Sequence, residues 1–492
     1  MRGKKKGRFY LSTNTNVSAP EVTGKEYKVI PIFAAFLISA FIGLFSETAL
    51  NIALNTLIDV FHTNATTIQW LTTGYLLTLG ILVPVSGLLQ QWFTTRQLFI
   101  TSLVFSIIGT VIAAMAPSFE VLMVARIFQA IGTALILPLM FNTILIIIPP
   151  KKRGGAMGMI GLVIMFAPAV GPTLSGLILE DLTWHWIFWI CLPFLIIGLL
   201  AGIFYMENVS ELTKPKIDIL SIVLSTIGFG STVFGFSSAG EGPEGWGSPK
   251  VIGLLIIGVI ALILFCWRQL KMEQPMINLR AFQYPMFTLG VVLVFVCFML
   301  IMSSMLLLPM YLQAGLTLSA FVAGLTLLPG GIINGLMSPV IGKLFDRFGP
   351  KWLVIPGFLI TIIVVWFLSN VTTTTTLTVM VLLHISLMIG IALIMMPAQT
   401  NGLNQLPKKY YPSGTAIMNT LQQIAGAIGT AVSVSIMSSG QQAYLAATKD
   451  PTNPIHIPEA ITAGIQNGFI FVLFIVVLAL IYAFFIKRVD IN

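Results

Sequence analysis

Charge is what this chain has least of. Only 9% of its 492 residues are Asp, Glu, Lys or Arg, against 57% hydrophobic residues and a mean hydropathy of +0.96. A soluble domain carries about 25% charged residues, so the soluble classes are excluded and a polytopic membrane protein remains. Cysteine is scarce as well. Cys191, Cys266 and Cys297 all fall inside apolar runs without metal-ligand spacing, which argues against a disulfide framework and a zinc site. Acids are outnumbered by bases, with a net charge of +9. The basic residues sit between apolar runs rather than beside aromatics on one surface, so a nucleic-acid partner is not expected. The basic, polar N-terminus lacks a short apolar core followed by a small-residue cleavage site. It reads as a retained cytoplasmic tail over residues 1–28.

What the chain has is apolar runs. Segments long enough to cross about 30 Å of hydrocarbon are expected near 29–54, 67–89, 97–116, 120–148, 154–179, 186–206, 217–238, 250–268, 285–312, 319–341, 352–370, 377–397, 412–438 and 463–486. Lys and Arg alternate between successive loops as the positive-inside rule requires. One set of loops holds the tail, Arg96, Lys151 to Arg153, Lys214, Lys216, Arg268, Lys271, Arg280, Lys343, Arg347, Lys351, Lys408, Lys409, Lys487 and Arg488; the other holds Lys250 and Lys449. A missed or extra span would scramble that order, so fourteen spans with both termini cytoplasmic are predicted.

The segment GLLQQWFTTR, Gly87 to Arg96, aligns without a gap on GKLFDRFGPK, Gly342 to Lys351. Repeats of this kind are a transporter habit. They predict two six-helix bundles, 29–206 and 285–486, around two extra spans with linkers over 207–284, and a short C-terminus over 487–492.

Glu47 is the one acid expected deep in the membrane, and an ionisable group there normally faces a partner, a wet cavity or an ion pathway. Asn51 and Asn55 follow at four-residue steps and share its helix face. Arg126, the one basic residue with no loop to occupy, falls on the fourth span at a similar depth, around 10 Å below the outer surface. Gln129 and Thr133 extend its face. A carboxylate beside a guanidinium suits a proton site whose affinity the arginine sets by favouring the charged form; a permanent ion pair joining two helices is the alternative.

Asp346, with Gly342, Arg347 and Gly349, sits in a loop after the tenth span, where the acid can cap a helix or pair with a base and act as a gate latch. Its counterpart offers Gly87 and Arg96. In the fifth span Gly161, Pro168, Pro172 and Gly176 are expected on one small, kinked face, and Ala425, Gly429 and Ser433 form a comparable face in the thirteenth. Candidate cavity residues are Asn51, Asn55, Gln69, Trp70, Tyr75, Gln129, Gln313, Asn334, Asn419 and Gln423, because polar groups among aromatic and Met side chains suit amphipathic ligands. Each singly also fits an interhelical hydrogen bond, and His384 in the twelfth span fits a packing residue.

These motifs together resemble the fourteen-span drug:proton antiporters of the major facilitator superfamily, over nearly the whole chain. Glu47-Thr48-Ala49-Leu50-Asn51-Ile52-Ala53-Leu54-Asn55 is similar to the first-span signature, with Glu for the usual Asp and Asn55 for the usual proline. Leu122, Arg126, Gln129 and Gly132 resemble the fourth-span motif, and Pro168, Gly171, Pro172 and Gly176 the antiporter motif of the fifth. The loop signature departs from the pattern at Gln91 and Thr94, whereas Asp346 and Gly349 are kept, so latching should fall mainly on the C-terminal half. His185 and Cys191 stand where the sixth span usually has Arg and Asn.

The resemblance implies an all-α membrane fold of fourteen helices and proton-driven export of amphipathic small molecules by alternating access. It implies a bacterial plasma-membrane protein that is not an enzyme, acting as a monomer with the proton gradient as energy source and no cofactor. A single cavity carboxylate favours neutral, zwitterionic or monocationic cargo. An exporter of one endogenous metabolite, or a nontransporting sensor or scaffold on the same fold, stays open. An intramembrane enzyme would need a cluster of reactive side chains at one depth, and a channel would show charged rings or a filter loop; neither pattern is present.

Overall fold

Hydrocarbon offers no partner for backbone N–H and C=O groups, so apolar runs must satisfy them internally as helices. A computed structural model describes residues 28–63, 65–210, 212–239, 245–448 and 456–489. The tail over 1–27, Lys449 and residues 490–492 lie outside the described residues, and so do the side chains of Asn51, Asn55, Gln69 and Pro172. Among the described residues, fourteen helices are long and apolar enough to cross a membrane. They are α1 (Val29–Val60), α2 (Ala65–Trp92), α3 (Thr95–Ala114), α4 (Phe119–Ile147), α5 (Arg153–Asp181), α6 (Trp186–Tyr205) and α7 (Ile219–Ala239), followed by α8 (Pro249–Lys271), α9 (Pro285–Met310), α10 (Ala320–Phe348), α11 (Lys351–Leu368), α12 (Leu377–Asn404), α13 (Tyr411–Ala447) and α14 (Ile457–Ala483).

Every expected span is present, and the differences are at the ends. α1, α10, α12 and α13 run well past their apolar cores, because a helix keeps its i to i−4 hydrogen bonds where hydropathy no longer marks it. The loop expected from Gly342 is in fact the last two turns of α10. The turn itself is Gly349-Pro350, with Gly349 at φ +80°, a left-handed geometry that glycine accepts without strain. Likewise Gly87 to Trp92 belong to α2. There α3 starts from a capping box in which the Thr94 hydroxyl accepts from Gln97 N and the Gln97 side chain accepts from Thr94 N.

The two halves, α1–α6 and α9–α14, meet along two seams. At the first, α5 lies on α10 through small residues: a Cβ on Gly158 would sit 2.8 Å from the Pro339 Cα, and one on Gly335 would sit 3.1 Å from the Phe166 Cβ. At the second, Gly87 of α2 faces Ala416 and the Pro412 carbonyl of α13, at 3.0 and 3.3 Å from its would-be Cβ. The expected single face on α5 therefore divides. Gly154 and Gly158 turn to α10, Gly161 sits nearest Met396 of α12, Gly171 turns to α1, and Gly176 meets nothing within 4 Å.

The α7–α8 hairpin covers the α2–α13 seam. Phe234 packs on Trp70 of α2 with ring centroids 5.2 Å apart, while Ala239 and Val251 form a buried cluster with Ala431 of α13. At the basic face Arg268 clamps Asp218 through Nε at 2.6 Å and Nη2 at 2.8 Å, and Ser221 donates to the same carboxylate. The guanidinium fork, first of all, pulls the Asp218 pKa down to about 2 from 3.8. A depressed carboxylate stabilises the fold above its unfolded pKa and loses that contribution as pH falls through the folded one. Asp218→Asn should therefore leave the pH dependence of thermal unfolding unchanged between pH 5 and 8 and flatten only the loss between about pH 4 and 2. The effect should be at most about 1 kcal/mol, since the arginine side chain is 35% exposed.

Candidate functional site

Ser118 starts α4 by accepting from Val121 N through its hydroxyl, and Arg126 follows two turns further in, fully buried. A long helix interior supplies no acceptors of its own, so a buried guanidinium must find them on its neighbours. Its Nη1 donates to the Ser46 carbonyl at 3.1 Å, the Ser46 hydroxyl at 3.4 Å and the Gln129 Oε1 at 2.9 Å, and its Nε donates to the Leu71 carbonyl at 3.4 Å. Its carbon centre lies 4.2 Å from the Tyr75 ring centroid. Gln129 in turn donates to Thr110 of α3 at 3.1 Å, and the Tyr75 hydroxyl donates to Thr133 at 2.8 Å. Gly109 permits this: a Cβ there would lie 2.7 Å from the Ala125 carbonyl, so α3 can reach α4 closely enough for Thr110 to serve Gln129.

Glu47, half-buried, is the residue next to Ser46 on α1. The acid and the base are thus at one level, as expected. No ion pair closes between them; Arg126 holds the backbone beside Glu47 instead, and its Nη2 has no hydrogen-bond partner among the described residues. Behind the acid, Gly171 brings α5 onto α1, 3.4 Å from the Phe45 carbonyl and from Ala49 N as measured from its would-be Cβ. Ser46 and Thr110 were not singled out in the sequence. A serine in an apolar run is too common to stand out, and only its place beside Glu47 marks it.

The cavity candidates separate. Tyr75 and Gln129 belong to the arginine network, and Asn334 is buried with its Nδ2 donating to the Met388 carbonyl at 2.7 Å. Asn419 is buried and donates to Thr415 O, Trp70 is half-buried against Phe234, and Gln423 is half-buried. Gln313 is exposed in the π-turn that follows α9.

At the basic face Asp346 reaches across the seam. Its two oxygens accept from Gly154 N at 2.8 Å and Gly155 N at 2.9 Å, capping α5 from the opposite half. Arg153 joins it, donating to Asn404 Oδ1 at 2.9 Å and lying over the Tyr411 ring. Arg488, just after α14, donates to the carbonyls of Asp346 and Arg347 and so closes the end of α10. Arg347 itself is exposed beside Phe348. The N-terminal copy packs across through Gly87, but its side-chain hydrogen bonds stay on its own side: Gln91 bonds the Gly87 carbonyl and Thr213, and Arg96 donates to Ile203 O at 2.7 Å.

The sequence profile described as Major Facilitator Superfamily matches residues 36–430. The chain belongs to the Major Facilitator Superfamily. It is 67% identical to the lincomycin resistance protein LmrB of Bacillus subtilis (strain 168), over 96% of this chain and 99% of that one. It is 26% identical to the multidrug export protein EmrB of Haemophilus influenzae, over 87% and 84% respectively. Among solved structures, the proton:xylose symporter XylE superposes with a TM-score of 0.63 at 15% identity, covering 94% of this chain and 96% of that one. That likeness concerns the fold.

Within a Major Facilitator fold the Asp346 cap is a cross-half tie that can be tested singly. Asp346→Ala removes a helix cap of about 1–2 kcal/mol, equivalent to roughly 5- to 30-fold in a conformational ratio. Spin labels at Lys151 and Lys408, both exposed, should report that much more of a longer-distance population, with Asp346→Asn in between. An unchanged distance distribution would show that the cap does not hold the basic face closed.

Proposed function

We propose that this protein is a proton-coupled antiporter that exports amphipathic small molecules from a bacterial cell by alternating access, with the proton gradient alone as its energy source. The observation that carries the reading is the placement of Glu47 next to Ser46, whose carbonyl and hydroxyl both accept from the buried Arg126. A carboxylate so near a fixed charge, without a closed ion pair, can exchange a proton while the arginine stays put. Loop basicity supports an orientation with both termini in the cytoplasm, and the Asp346 tie then closes the cytoplasmic side. The chain works as a monomer, and its relative in Bacillus subtilis makes lincomycin the first substrate to try.

The test uses purified protein in liposomes with an imposed pH gradient and labelled lincomycin, alongside an amphipathic monocation. Drug movement should follow the gradient and stop when an ionophore collapses it. A rate indifferent to the gradient would remove the coupling, and no movement of either compound would remove the substrate class.

A further inference from the structure

Two helix–helix contacts recur in both halves. Gly132 of α4 packs on Ser102 and Ser106 of α3 as Gly390 of α12 packs on Gly357 and Thr361 of α11. Gly171 of α5 meets Phe45 and Ala49 of α1 as Gly429 of α13 meets Met299 of α9. The same register places His384 of α12 where α4 has Arg126, and Gly330 of α10 where α2 has Tyr75. The contact is kept: Arg126 covers the Tyr75 ring, and a Cβ on Gly330 would lie 2.7 Å from the His384 Cε1 and 3.0 Å from its Cγ. Gly330 makes room for an imidazole.

His384 is only 8% exposed, and its Nδ1 has no partner among the described residues; the Leu327 carbonyl faces the ring. One turn further along α10, about 5.4 Å, Asn334 is fully buried, and its Oδ1 also has no partner while its Nδ2 serves the Met388 carbonyl. One ring nitrogen and one amide oxygen, both without a partner among the described residues, thus occupy successive layers of one interface. A proton taken up by the imidazole makes both ring nitrogens donors, one helical turn from the unpartnered Asn334 Oδ1.

We propose that His384 and Asn334 form a second proton site in the C-terminal half, at the position that corresponds to Arg126. No fixed charge competes for that proton. Apart from His384, α9 and α12 carry no Asp, Glu, Lys, Arg or His; Lys343, Asp346 and Arg347 of α10, Lys351 of α11 and Arg153 of α5 lie at the basic face; Glu180 and Asp181 close the far end of α5. The other titratable groups on the packed elements are Cys297 of α9, Tyr311 just beyond it, whose hydroxyl donates to Thr372 O, and Tyr411 and Tyr444 near the ends of α13. On α10, Gly331 adjoins the Ala169 Cβ of α5, so a charge arriving at His384 acts directly behind the seam between the halves.

The inference rests on the proton-coupled reading, and its test separates the two. The chain carries four histidines, so histidine-selective ¹⁵N labelling with His384→Gln as the subtraction isolates one imidazole. Followed from about pH 8 down to about pH 4, its resonance should pass from the neutral to the charged form, and Asn334→Leu should shift the midpoint. In liposomes, His384→Gln should remove one ionisation from the pH profile of drug transport, because glutamine cannot take up the proton. A resonance fixed in one protonation state across that range overturns the proposal. So does a titrating His384 with an unmoved transport profile. If transport itself proves indifferent to the gradient, the proton-coupled reading fails, while the labelled imidazole still reports whether His384 takes up a proton.

Discussion

Glu47→Gln is expected to abolish gradient-driven efflux, lowering it by roughly 100-fold or more, at the upper end of the 1–3 kcal/mol by which one bound species couples to another. Glutamine keeps the size and hydrogen-bonding reach of the carboxyl but cannot exchange a proton. The network that holds the neighbouring segment should survive, because Arg126 grips the carbonyl and hydroxyl of Ser46 rather than the acid. The variant should therefore reach the membrane, bind drug, and carry out drug–drug exchange across liposomes with no gradient. A Glu47→Gln protein that still concentrates lincomycin against its gradient when the inside is acidified would take the coupling role away from this residue. Loss of both exchange and accumulation would point to a damaged fold, which the melting temperature reports independently.

The fold was legible in the sequence because two independent physical signals agree. Hydrocarbon thickness sets the length of each apolar run, and loop charge sets its direction; an error in either would have broken the alternation from Arg96 through Lys408. Helix ends were less legible. Past the apolar core of α10 the residues Lys343, Asp346 and Arg347 look like a loop, yet the backbone stays helical to Phe348. That difference matters, because a helical Asp346 is held rigidly enough to cap α5 across the seam.

The site was legible where rarity gave it away. Glu47 and Arg126 stand out because ionised groups are costly in hydrocarbon. Ser46, Thr110 and Asn404 are ordinary polar residues, and only the packing that brings them to Arg126, Gln129 and Arg153 shows their part. His384 was equally visible as a letter. Its correspondence with Arg126 needed the register of α10 against α12, which hydropathy does not carry.

Arg126→Ala should have the largest effect on stability. It takes the charged donor away from the Leu71 and Ser46 carbonyls and from the Gln129 Oε1, opens a void under the Tyr75 ring, and strips Glu47 of the fixed positive charge near it. Hydrogen bonds to a charged group are worth about 1.5–3 kcal/mol each, so thermal unfolding in detergent should move to clearly lower temperature. Arg126→Lys tests the geometry: a point charge on a flexible stem cannot serve Leu71 of α2 and Ser46 of α1 at once, and its stability should fall between the two. The decisive comparison is the double variant with Glu47→Gln. If Arg126 stabilises the ionised carboxylate as well as the backbone, the two losses will be sub-additive by about 0.5–3 kcal/mol, because a neutral glutamine side chain has no charge to lose. Strict additivity would mean that Arg126 only ties α1, α2 and α4 together, and that the proton affinity of Glu47 is set elsewhere.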